Sequence, residues 1–156
     1  MPPVASTRRQ ARERALGLLY EAVSKGRSAR SVVDDQPVEP DPFAVDVATG
    51  VDEHQADIDE LIRRFARGWT LERMPVIDRL LLRMGSYELL QRPDVPTAAV
   101  ISEAVELAKR FSTDDSSRFV NGVLARIADE VREGTRPHPA RAAYDDEGDK
   151  GTPDNG

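Results

Sequence analysis

An all-α architecture is predicted for this 156-residue chain by three features of its sequence. Apolar residues recur at intervals of three and four, no alternating strand pattern of useful length appears, and prolines cluster between the apolar stripes rather than within them. The length suits one compact domain or two small helical subdomains packed together.

Ser6 or Thr7 can cap a first helix whose Ala11, Ala15, Leu18, Leu19 and Ala22 form one buried stripe, ending near Lys25 and Gly26. Ser28 to Val33 supplies a further short turn, and Pro37, Pro40 and Pro42 mark a loop. The stripe Phe43, Val47, Val51, Ile58, Leu61, Ile62 and Phe65 predicts one long amphipathic helix, with His54 at its core edge. Trp69 and Leu71 anchor a connector. Pro75 suits the first turn of a helix carrying Ile77, Leu80, Leu81, Met84, Tyr87 and Leu90, apolar on a wide face and therefore central. Thr97 is placed to cap a helix through Ile101, Ala104, Val105, Ala108 and Phe111. The polar run 112–117 then caps a last helix carrying Val120, Val123, Leu124, Ile127 and Val131. The organisation expected is an N-terminal helical subdomain over 1–68, a C-terminal one over 69–133 and a disordered tail over 134–156, whose composition is Pro, Gly, Ala and charge.

Charge is unevenly placed. The formal net charge is −6, yet residues 1–33 carry seven Lys/Arg against two acids, and residues 34–60 carry ten acids and no Lys/Arg. Within the basic part, Arg8, Arg9, Arg12 and Arg14 lie on about two helical turns. Cations there oppose the helix dipole, so phosphate is the natural compensating partner, bound by guanidinium groups and helix end alike. Surface arginines that merely keep an amphipathic helix soluble are the competing reading. The acidic block reads as a solvated loop and helix face.

Enzyme chemistry finds no support: there is no glycine-rich phosphate loop or nucleophile elbow, and the two histidines, His54 and His138, are far apart. No cofactor or metal is expected. Cysteine is absent and no segment is apolar enough to span a bilayer, so the chain is read as cytoplasmic, with no membrane partner.

Several ordered motifs resemble the NusB family of transcription antitermination factors. They are Arg8-Arg9-Gln10-Ala11-Arg12-Glu13 followed by Leu18-Leu19-Tyr20, then Arg79-Leu80-Leu81-Leu82-Arg83 with Tyr87-Glu88-Leu89, then Asp94-Val95-Pro96, Ile101 to Lys109, and Phe119-Val120-Asn121-Gly122-Val123-Leu124. The resemblance spans about residues 8–132 and departs in the Pro-rich acidic segment 34–46 and after Gly134. It implies a compact seven-helix fold of two packed subdomains and binding of boxA-type single-stranded leader RNA of ribosomal RNA operons. It also implies two protein partners: the ribosomal protein NusE, and the antitermination complex on RNA polymerase.

By the same resemblance Arg8, Arg9, Arg12 and Arg14 belong to an arginine-rich RNA-binding motif, with Tyr20 farther along the helix. Asp115, Ser116, Phe119 and Asn121 match a second RNA-facing signature, to which Lys109 and Arg118 add phosphate contacts. Helix capping competes for Asp115 and Ser116, core packing for Phe119, and close helix approach for Asn121-Gly122. Arg83, Tyr87 and Glu88 match a helix implicated in NusE contact, although Arg83 pairing with an acid across the seam is an equal reading. A homodimer covering the basic helix would compete with RNA. Two other classes stay in play: a helical protein-protein adaptor without direct RNA binding, and an RNA-recruiting module of the kind found fused to RNA cytosine methyltransferases.

Overall fold

A computed structural model describes residues 7–132; the tail expected over 134–156 lies outside them. Among the described residues there are seven α-helices and no strand: α1 Arg8–Lys25, α2 Ala29–Asp34, α3 Pro42–Glu53, α4 Gln55–Phe65, α5 Val76–Gln91, α6 Thr97–Phe111 and α7 Asp114–Val131, with a 3-10 turn at Leu71–Arg73 between α4 and α5. No helix among them is long and apolar enough to cross a membrane.

Local chemistry sets the boundaries. Thr7 and Gln10 form a reciprocal capping box at the start of α1, the Gln10 N–H donating to Thr7 Oγ1 and the Thr7 N–H to Gln10 Oε1. Gly26, at φ 62°, ends the helix in the left-handed conformation that glycine adopts without strain. Ser28 caps α2 and Thr113 caps α7. The capping residue of α7 is thus the residue before the Asp114-Asp115 pair. Pro96, not Thr97, holds the cap position of α6; Thr97 is its first residue and its hydroxyl accepts from Arg132.

The single long helix expected over 43–65 is two helices. His54 leaves helical geometry at φ −114°, ψ 18°, ending α3 and opening α4. Backbone hydrogen bonds flank the break on both sides, His54 to Gly50 and Ile58 to His54. Apolar spacing therefore stays in phase across it, and spacing alone does not reveal it. The bend lets α3 pack on α1 and α5 while α4 packs on α5 and α7.

The wide apolar face of α5 makes it the hub: it touches α1, α3, α4, α6 and α7, and the two halves of the chain share one core running from Ala11 to Ala128. Two glycines permit the closest approaches. A Cβ on Gly50 would lie 2.2 Å from the Tyr87 ring, and one on Gly85 would lie 2.7 Å from Leu124 Cδ1. Gly122 has no such constraint, since only the tip of Arg126 comes within 4 Å. Arginines tie off helix ends: Arg126 donates to the Phe65 carbonyl at the end of α4. Arg132 donates to the carbonyls of Glu88, Leu89, Arg92 and Val95, gathering the C-terminal end of α5 and the start of α6.

Candidate nucleic-acid interface

The four arginines of the α1 motif divide by environment. Arg8, Arg9 and Arg14 are exposed, whereas Arg12 is 5% exposed and points into the α1–α5 seam. There its Nη2 and Nε donate to Glu88 Oε1 and Oε2 at 2.7 and 3.0 Å. Arg12 is therefore not part of an exposed ridge. A buried guanidinium persists only with a carboxylate partner and satisfied donors, and Glu88, 2% exposed, is that partner. A signal was present in the sequence: a glutamate within the apolar stripe of a central helix requires a cation opposite it.

The exposed members are held in place rather than splayed. Arg8 lies 4.1 Å above the centre of the Phe43 ring, which Arg12 and Arg92 also approach at 5.1 and 4.9 Å, so three guanidinium groups surround one aromatic. Arg9 makes a two-pronged pair with Glu103 of α6 at 3.1 and 3.2 Å, which raises its pKa further. Arg14 donates to Gln36 Oε1 at 2.5 Å. One turn past Arg9, Glu13 receives both prongs of Arg110. Two exposed ion pairs thus bridge α1 and α6 above the buried Arg12–Glu88 pair. Tyr20 stands half-exposed farther along α1.

Lys109, Arg118 and Asn121 are all exposed and line a groove of about 600 Å³ between α6 and α7, together with Ile101, Ser102 and Val105. Arg118 pairs with Asp115, and both are exposed. Ser116 is buried in a hydroxyl network with Ser112 and Thr113 that extends to Asp78. Phe119 is half-buried, its ring 5.8 Å from that of Trp69 and tilted by 56°. Sequence reading made Trp69 an anchor of the connector, yet it is 50% exposed and forms one wall of a pocket with Phe119.

Of the three residues expected to face a protein partner, Tyr87 and Glu88 are buried and Arg83 is half-buried. Tyr87 is buried over Gly50, its hydroxyl donating to Asp46 Oδ1 at 2.7 Å; burial and Asp46 both raise its pKa. The His54 ring stacks on it at 5.8 Å. Glu88 is consumed by Arg12, and Arg83 makes a two-pronged pair with Asp59 of α4 at 2.8 and 3.1 Å. The reason is topological: α5 is packed against α1, α3, α4, α6 and α7, so these polar residues serve as ties between helices.

Fold and site together define a small helical protein packed around a central helix, with a face of arginine, lysine and aromatic side chains contributed by α1, α6 and α7. The chain belongs to the NusB family, which its residues 9–129 match. Among curated relatives, the transcription antitermination protein NusB of Kineococcus radiotolerans is 48% identical over 128 residues, covering 80% of this chain and 94% of that protein. NusB of Thermobifida fusca is also 48% identical, covering 78% of this chain and 88% of that protein. Among solved structures, NusB of T. maritima superposes with TM-score 0.73 at 35% identity, covering 81% of this chain and 94% of that one. A complex of antitermination factors NusB and NusE with double-stranded RNA matches with TM-score 0.65 at 25% identity, covering 79% of this chain and 96% of that one.

Proposed function

We propose that this chain is a transcription antitermination factor that binds RNA together with NusE, and that its RNA target is the single-stranded boxA element of ribosomal RNA leaders. The observation that carries the RNA contact is the convergence of Lys109, Arg118 and Asn121 on one groove beside the half-buried Phe119, a combination of phosphate, base-edge and stacking groups. Arg8, Arg9, Arg14 and Tyr20 extend the contact along α1. Arg12 supports it from beneath, holding α1 on α5. NusE engages surface outside the buried Tyr87 and Glu88, and the assembly acts on RNA polymerase in the cytoplasm. A homodimer that covered α1 would compete with RNA.

The test is anisotropy of labelled leader RNA across a salt series. Affinity falls as salt rises, with a log–log slope of about −0.7 per phosphate neutralised. Lys109→Ala and Arg118→Ala each make the slope shallower by about one such step. A salt-independent affinity would overturn the electrostatic contact. The adaptor reading draws on one observation: Arg9, Arg110 and Arg118 already hold carboxylates. Capture of a protein partner that survives RNase, with no RNA binding by the purified chain, would favour it.

A further inference from the structure

The connector between α4 and α5 and the first turns of α5 and α7 frame a pocket of about 150 Å³ lined by Trp69, Met74, Pro75, Asp78, Asp115 and Phe119. Pockets for drug-sized ligands run to roughly 300–1,000 Å³, so this one suits a single flat ring. Its aromatic side is unusual for an exposed connector. Trp69, the one tryptophan of the sequence, leaves half its surface in water while Phe119 backs it from α7. An indole in contact with a second aromatic and half open to water offers a stacking surface for an unpaired base.

Asp78 supplies the polar element. It is 3% exposed, and its Oδ1 accepts from Ser112 Oγ at 2.9 Å, a hydroxyl itself fixed at 2.8 Å from Ser116 Oγ. Among the described residues no cation pairs with it, so its second oxygen remains an acceptor for a donor entering the pocket. A buried carboxylate prefers N–H donors and repels carbonyl oxygens. At the rim the charge of Asp115 is met by Arg118, whose own groove continues the path along α6 and α7.

We infer that this pocket takes one unpaired nucleobase of bound RNA, stacked on Trp69 with an N–H donor edge turned to Asp78. The inference rests on the RNA-binding reading and adds base discrimination to it. Cytosine presents an exocyclic amine to a carboxylate, whereas uracil presents carbonyls flanking one N–H and is disfavoured. Cytosine and uracil share size and stacking surface, which isolates the edge contact.

The experiment uses the full chain with short oligo(C) and oligo(U), read in parallel by Trp69 emission and by competition against labelled RNA in anisotropy. Oligo(C) should quench Trp69 saturably, with the same midpoint as the anisotropy curve, and bind at least about fivefold tighter than oligo(U), the low end of a base-edge contact. Trp69→Ala should weaken both oligomers, and Asp78→Asn should narrow the difference between them. Equal binding of the two by the unaltered protein overturns the inference. So does unchanged Trp69 emission once anisotropy shows saturation. Failure of all RNA to bind in anisotropy overturns the RNA reading itself, and the pocket assignment with it.

Discussion

The α1–α5 seam and the α1–α6 rim are built from the same residue types and do opposite things with them. In the seam, Arg12 and Glu88 are buried and fully engaged with each other. On the rim, Arg9–Glu103 and Arg110–Glu13 have similar two-pronged geometry, but the side chains range from about one-fifth to three-fifths exposed. Water makes the difference. A buried pair is costly to break because either partner alone is a stranded charge, whereas an exposed pair is worth little and can exchange its carboxylate for a phosphate. Arginines three residues apart on one helix thus serve stability and recognition separately.

The largest test of that contrast is Glu88→Ala, which strands Arg12 and should cost about 3–5 kcal/mol in chemical denaturation. Combining Arg12→Met with Glu88→Leu should recover most of the loss, since a well-packed apolar pair replaces the ions. If Glu88→Ala left the denaturation midpoint in place, the seam would be no more than a rim. Gly50→Ala follows. Alanine normally gains up to about 1 kcal/mol over glycine inside a helix. The new Cβ, 2.2 Å from the Tyr87 ring, should outweigh that gain, giving a net loss of about 1–3 kcal/mol by thermal or chemical unfolding.

On the rim, Arg9→Ala should leave the unfolding midpoint nearly unchanged while flattening the salt dependence of RNA binding by one phosphate-equivalent, about 0.7 in slope. A shifted melting curve with an unaltered slope would make Arg9 a seam residue in function. The smallest effect belongs to Glu103→Gln, which frees Arg9 from its carboxylate. RNA affinity should rise by a few-fold at low salt and converge with that of the unaltered protein as salt screens the charge. A lower affinity would mean that Glu103 positions Arg9 for RNA rather than competing for it.

Helix content was legible because burial at three- and four-residue spacing leaves a direct imprint, as in Ala11, Ala15, Leu18 and Leu19. The break at His54 was not, since one residue left helical geometry without disturbing the phase of Val47, Val51, Ile58 and Ile62. Site residues were harder. Helical spacing puts Arg8 and Arg12 on one face, but whether that face meets water or α5 is a tertiary matter, and Glu88 was the only clue. Trp69 carried no clue, because an aromatic in a connector reads equally as anchor and as platform.

The Arg132 clasp has a consequence in time as well as in space. The carbonyls it gathers, those of Glu88, Leu89, Arg92 and Val95, precede it by 37 to 44 positions. During synthesis, which proceeds from the N-terminus, the end of the central helix is therefore made well before the residue that closes it. In the interval the Glu88 and Arg92 carbonyls keep only their local backbone donors, the N–H groups of Arg92 and Val95, and water stands in for what Arg132 adds when α7 docks. Arg132, just past the end of α7, thus ties down the end of a central helix made some forty residues before it.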